Sequence, residues 1–165
     1  MWGSSNYGQA KRKPVKPALV TAVDMLARQE YSESRLFEKL MAKGYEEEEV
    51  AAAIARLQEK HYLNDAESCP RRFNYLYTDS SYSVRQICEK LKQKGYPSSM
   101  VKSCIPEDRE AVHEREYEKA LRVLTSKYKR SQDKQKLLAA MFRRGYQSSA
   151  IDRAVDEFLT VDEEE

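Results

Sequence analysis

The 165-residue chain has few of the residues that punctuate or cross-link a fold: five glycines, five prolines, three cysteines and two histidines. Cys69, Cys88 and Cys104 are an odd number without C-x-x-C spacing. That argues against a disulfide framework and fits a reducing, cytoplasmic setting. His61 and His113 stand at no ligand spacing to them, so no metal site and no cofactor are expected. No apolar run approaches the roughly 20 residues that a bilayer span needs. The N-terminal lysines have no apolar stretch behind them, so neither a membrane partner nor a secretory leader is read. A Gly-rich phosphate loop, G-x-S-x-G and a recognisable Cys–His spacing are all missing. No catalytic residue is therefore assigned; a nuclease or other enzyme would need a convincing carboxylate site, and Glu46, Glu47, Glu48 and Glu49 read instead as the solvated start of a helix. A dominant charge sign is lacking too, since 29 Lys and Arg against 27 Asp and Glu leave +2. Net charge by itself names no partner.

What is present is a repeat. The stretches "KLMAKGYEEEEVAAAI", "KLKQKGYPSSMVKSCI" and "AMFRRGYQSSAIDRAV" each carry basic-Gly-Tyr, at Gly44, Gly95 and Gly145. Twelve residues before each glycine stand Ser32, Ser83 and Asp133, all good N-cap residues. Leu36, Ile87 and Leu137 lie eight before, and Leu40, Leu91 and Met141 four before. Tyr45, Tyr96 and Tyr146 follow directly; Val50, Val101 and Ile151 lie six after, and Ile54, Ile105 and Val155 ten after. Each unit thus predicts a capped helix of about three turns, stopped by a glycine in the left-handed conformation, then a second helix with apolar residues four apart. The tyrosines are expected to cover the turn.

A further helix precedes each copy. Leu19, Val23 and Leu26 share one face in the first; Cys69, Phe73 and Tyr77 in the second, which is expected to begin near Pro70. Tyr117, Leu121, Leu124 and Tyr128 mark a longer one from about Pro106 to Tyr128. No segment alternates with a period of two. The predicted fold is all-α: three tandem three-helix repeats forming an elongated, curved, solenoid-like monomer. Its expected parts are a disordered basic arm (1–16), repeats at 17–63, 64–105 and 106–160, and an acidic tail (161–165).

Basic residues group along the second and third repeats. Arg85, Lys90, Lys92 and Lys94 crowd one short helix, Arg71 and Arg72 precede them, Lys127, Lys129 and Arg130 end the long helix, and Arg143 and Arg144 precede Gly145. These are the candidate partner-binding residues, for phosphates or an acidic protein surface. The competing reading is that bases near helix C-termini oppose the dipole, which suits Lys43, Lys94 and Arg144. His113, with Glu110, Glu114 and Glu116, reads as an exposed charged helix. Tyr7, Tyr62, Tyr75 and Tyr82 are candidate exposed contact aromatics.

The run "LNDAESCPRRFNYLYTDSSYSVRQICEKLKQKGY" resembles the central segment of the RecX family, regulators of the bacterial RecA recombinase. Leu63 and Asp65 match the family's Leu-x-Asp, and Ile87, Leu91, Lys94 and Gly95 match its later elements. The first unit shares the Ser-x-x-x-Leu-x-x-Lys-Leu and Gly-Tyr pattern, and the resemblance spans residues 18–158. Ser81 and Ser83 stand where the family prefers glycines, and Lys90 where it has an acid. The resemblance implies a non-enzymatic protein that binds the RecA–DNA filament. It would damp ATP hydrolysis, strand exchange and the co-protease role in the SOS response. Single- or double-stranded DNA is a second candidate partner. The alternative from the basic residues alone is a helical nucleic-acid-binding protein acting without RecA.

Overall fold

The computed structural model describes residues 14–160, and among them are nine α-helices and no strand. The expected acidic tail and all but the last three residues of the expected basic arm, Tyr7 included, lie outside the described residues. The chain divides into two compact units, residues 1–64 and 65–165.

The first unit holds α1 (Ala18–Arg28), α2 (Glu33–Ala42) and α3 (Glu47–Glu59). Ser32 caps α2 by accepting the Arg35 amide at 3.3 Å. Gly44 ends it at φ +94°, where a side chain would be strained. Leu36, Leu40, Val50, Ile54 and Leu57 form the core with Tyr45, whose hydroxyl donates to the Lys16 carbonyl at 2.7 Å. Glu49, expected to be merely solvated, accepts the Ala18 amide at 2.9 Å and so caps α1 from α3.

The inward face of α1 differs from the expected one. Ala18 and Ala22 are fully buried, whereas Leu19 and Val23 are 36% and 47% exposed. Leu26 joins Met25 at the margin of the core. Small alanines four apart let the helix approach its neighbours closely, and that turns the larger residues outward. At the far end α3 closes with Tyr62 N–H on the Leu57 carbonyl and His61 N–H on that of Gln58. His61 takes the left-handed position, φ +59°, that glycine holds elsewhere.

The second unit holds α4 (Asp65–Asp79), α5 (Val84–Gln93), α6 (Ser98–Ser103), α7 (Arg109–Lys127), α8 (Lys134–Arg143) and α9 (Ser148–Thr160). Ser83 and Gln86 form a reciprocal capping box on α5. Asp133 caps α8 through the Gln135 and Lys136 amides. Gly95 and Gly145 again end the helices at φ +95° and +86°. Phe73, Ile87, Leu91, Tyr96 and Val101 build one cluster; Leu124, Leu137, Met141, Tyr146, Ile151 and Phe158 are among those building another.

Three expected boundaries shift. α4 starts five residues before Pro70. There the proline costs only the bond to the Ala66 carbonyl near the helix start. α6 stops at Ser103, leaving Ile105 half-buried beyond the helix, because a residue before proline is driven out of the α region and Pro106 follows. α7 begins at Arg109 rather than Pro106, with Asp108 accepting from the Glu110 and Ala111 amides.

Candidate functional site

Two adjacent charged residues of α7 hold the second and third sets of helices together. Arg115 is 7% exposed and Glu116 1%. The Glu116 carboxylate accepts the Val84 amide at 2.7 Å and the Gln147 amide at 3.3 Å, at the N-termini of α5 and α9. Arg115 donates to the carbonyls of Tyr77, at the end of α4, and Tyr82, at 2.7 and 3.0 Å. Lys119 adds a bond to the Thr78 carbonyl at 2.8 Å. A negative charge thus meets two positive helix ends and two cations meet a negative one. Arg115 also lies over the Tyr77 ring, 4.2 Å from its centre, and 3.5 Å from Glu116.

Burial, the dominant influence, raises the Glu116 carboxyl above its ordinary range, opposed by the Val84 amide, Arg115 and the Gln147 amide. Burial likewise lowers Arg115, against the pull of Glu116. Tyr146 belongs to the same junction. Its hydroxyl donates to the Ser81 carbonyl, and burial first, then the nearby Glu116, push it up to about 12. Tyr45 and Tyr96, by contrast, bond within their own sets of three, Tyr96 through Ser68 at 2.9 Å. Ser83 completes the joint by donating to the Arg144 carbonyl at 2.6 Å. Gly145 is needed there twice over: a Cβ would sit 3.0 Å from Arg85 Cδ and 3.1 Å from Ser83 Oγ.

This junction brings some of the candidate bases together. Arg85, on the first turn of α5, lies against Gly145, which follows Arg143, the last residue of α8, and its C-cap Arg144 along the chain. Lys92 falls two turns along from Arg85 on the same side of α5, and Glu89 between them pairs with Arg85 at 3.2 Å. Phe142, next to Arg143, is 61% exposed. Lys90 lies over the Tyr82 ring, 4.4 Å from its centre. Lys94 and Arg144 are the C-cap residues of α5 and α8, where a cation also serves the helix itself.

The remaining candidates stand apart. Arg71 and Arg72 are on the first half of α4, Arg71 exposed and 4.0 Å from Glu67. Lys127 is the last residue of α7 and Lys129 and Arg130 follow it; Lys127 stands eleven positions on from Glu116, roughly 16 Å of helix. Arg130 leans on the Phe158 ring at 5.7 Å. Tyr62 and Tyr75 are exposed, as expected, and Tyr82 partly so. Glu116, expected on an exposed charged helix, is instead buried, as is its neighbour Arg115. The signal was its register: Val112, Glu116, Ala120 and Val123 form one buried stripe. His113 is at the surface, its Nε2 2.9 Å from Ser149 Oγ. Among the described residues no group of His, Cys, Asp and Glu is placed to hold a metal ion, and no helix is long and apolar enough to cross a membrane.

An all-helical protein of three-helix repeats, with bases gathered near one joint, is thus defined. Residues 18–57 match the family described as RecX, first three-helix domain. The regulatory protein RecX of Haemophilus influenzae is 33% identical over 134 residues, covering 76% of this chain and 84% of that one. The regulatory protein RecX of Caldanaerobacter subterraneus subsp. tengcongensis is 28% identical over 153 residues, 92% of this chain and 73% of that one. The chain belongs to the RecX family of regulatory proteins. Its fold resembles the crystal structure of RecX from Lactobacillus salivarius, with a TM-score of 0.68, 16% identity and coverage of 86% and 94%. A second crystal structure, of regulatory protein RecX, gives 0.70, 22% identity and coverage of 84% and 71%.

Proposed function

We propose that this chain binds the RecA–DNA filament and lowers its ATPase, strand-exchange and co-protease activities, acting as a non-enzymatic regulator of recombination, DNA repair and the SOS response in the cytoplasm. Membership of the RecX family carries the reading. The basic joint supports it: the Ser83 and Glu116 bonds tie the start of α5 to the end of α8 and the start of α9, so the backbones that carry Arg85 and Arg144 keep a fixed spacing toward a charged partner. Lys90, Lys94, Arg71, Arg72, Lys127, Lys129 and Arg130 would extend the contact along neighbouring elements, with many weak contacts acting together. All of these candidates fall in the expected second and third repeats, 64–105 and 106–160, and none in the first, 17–63.

Co-sedimentation with RecA on single-stranded DNA tests this reading. The chain should pellet with the filament and stay in solution with DNA alone at physiological salt. A second reading rests on exposed Phe142 and Tyr82 beside the bases, an arrangement able to stack and pair with single-stranded nucleic acid. Tight, steeply salt-dependent binding to bare DNA that RecA leaves unchanged would select that reading instead.

A further inference from the structure

All three cysteines of the chain fall in one place, the apolar cluster that α4, α5 and α6 share. Nothing in their spacing along the sequence foretells it. Cys69 is fully buried on α4, Cys88 is 8% exposed on α5, and Cys104 is half-buried at the C-cap of α6. The Cys69 and Cys104 sulfurs are 3.9 Å apart. We propose that Cys69 and Cys104 form a reversible intramolecular disulfide in response to hydrogen peroxide, a redox site within the second three-helix set.

The two sulfurs have complementary settings. Cys69 is fixed in a fifteen-residue helix behind Phe73, with no exposure. Burial, and after it the neighbouring Cys104, raise its thiol and keep it protonated. Cys104 ends a helix of only six residues, and its thiol donates to the Met100 carbonyl at 3.3 Å. A disulfide needs about 2.05 Å between sulfurs. The remaining approach falls to the half-buried Cys104 at a short helix end, where a side-chain rotation breaks one weak sulfur hydrogen bond. Cys88 is the buried third thiol and the internal control.

The chemistry balances with one peroxide. The Cys104 thiolate attacks a peroxide oxygen, breaking the O–O bond; Cys104 becomes a sulfenic acid, and the departing hydroxide takes up the thiol proton as water. The Cys69 thiol passes its proton to the sulfenic hydroxyl as its sulfur attacks the Cys104 sulfur, so the S–O bond breaks, a second water leaves and the S–S bond forms. Two thiols are oxidised by two electrons in all, and the peroxide is reduced to water. A dithiol reductant reverses the step by exchange. The bond would enclose α5 in a loop and staple α4 to α6, across the element that carries Arg85, Lys90, Lys92 and Lys94. Long enclosed loops favour a stabilising cross-link.

The test uses the full chain, folded, with a small molar excess of peroxide. Thiol titration should fall from three to one, with no change in molecular size. Peptide mapping should recover a Cys69–Cys104 link, and the melting temperature should rise by more than about 5 °C, reversed by reductant. Cys88→Ala should still form the link and show the rise on oxidation, its thiols falling from two to none. Cys104→Ser, at the half-buried C-cap of α6, should lose both the link and the rise. Three thiols persisting in the folded chain while the urea-unfolded chain is oxidised would overturn the proposal. So would a link that maps to Cys88, or a Cys69–Cys104 link that leaves the melting temperature unchanged or lowers it.

Discussion

Replacing Glu116 with alanine tests the joint between the second and third sets of helices. The carboxylate is 1% exposed and accepts two helix-end amides, at 2.7 and 3.3 Å, beside the buried Arg115 guanidinium. Glu116→Ala leaves those amides without this acceptor and the cation without its counter-charge. Removing one partner of a buried pair costs about 3–5 kcal/mol. For a unit of this size that is a fall of roughly 15–25 °C in melting temperature. Circular dichroism during heating measures it, with urea unfolding as the check. Glu116→Gln keeps one acceptor but turns an amide nitrogen toward donors, and should lose about 1–3 kcal/mol.

A double variant separates ion pairing from backbone satisfaction. If the two charges mattered only to each other, Arg115→Met with Glu116→Leu would be close to neutral. Because they also serve the Val84 and Gln147 amides and the Tyr77 and Tyr82 carbonyls, the double variant should remain several kcal/mol below the parent, about as low as Glu116→Ala. A double variant as stable as the parent, or a loss below about 1 kcal/mol for Glu116→Ala, would show that these bonds do not hold the joint.

The pH dependence of the same residue has a definite sign. Burial raises its carboxyl above the ordinary 4.5, so the folded chain holds that proton more tightly than the unfolded one. Its contribution to stability should decline as pH rises from about 4.5 through the raised value, and Glu116→Gln should flatten that part of the profile. Tyr146→Phe removes the bond to the Ser81 carbonyl and should cost about 0.5–1.5 kcal/mol, with faster amide exchange at the α5 start as the local readout. Gly145→Ala forces a positive φ and a Cβ 3.0 Å from Arg85 Cδ; about 1–2 kcal/mol should be lost, and part regained when Arg85 is also shortened to alanine. Reversing Arg85, Lys92 and Arg143 together should raise the concentration for half-inhibition of RecA about tenfold or more, with melting nearly unchanged. Unchanged inhibition would move the contact to Lys127, Lys129 and Arg130.

The repeat was legible because its signals are local. Ser32, Ser83 and Asp133 cap helices by reaching two or three residues along the chain, and Gly44, Gly95 and Gly145 end them through their own φ. Such interactions depend little on the rest of the fold. The inward face of α1 was not legible, since a close approach favours Ala18 and Ala22 over the larger Leu19 and Val23, and that distance is a tertiary property. Arg115 and Glu116 escaped for a similar reason. Their partners lie more than thirty residues away, at helix ends that only the folded chain brings together. The candidate surface shows the same division. The bases of α5 could be named from the sequence, but the proximity of Arg85 to Arg143 and Arg144 depends on Gly145 packing against α5.

A titration of this chain into RecA hydrolysing ATP on single-stranded DNA addresses regulation most directly. Hydrolysis should slow as the chain is added, at or below a one-to-one ratio with RecA, and the charge-reversed variant should be needed in larger amount. Hydrolysis unchanged at saturating chain, with no co-sedimentation on the filament, would contradict it.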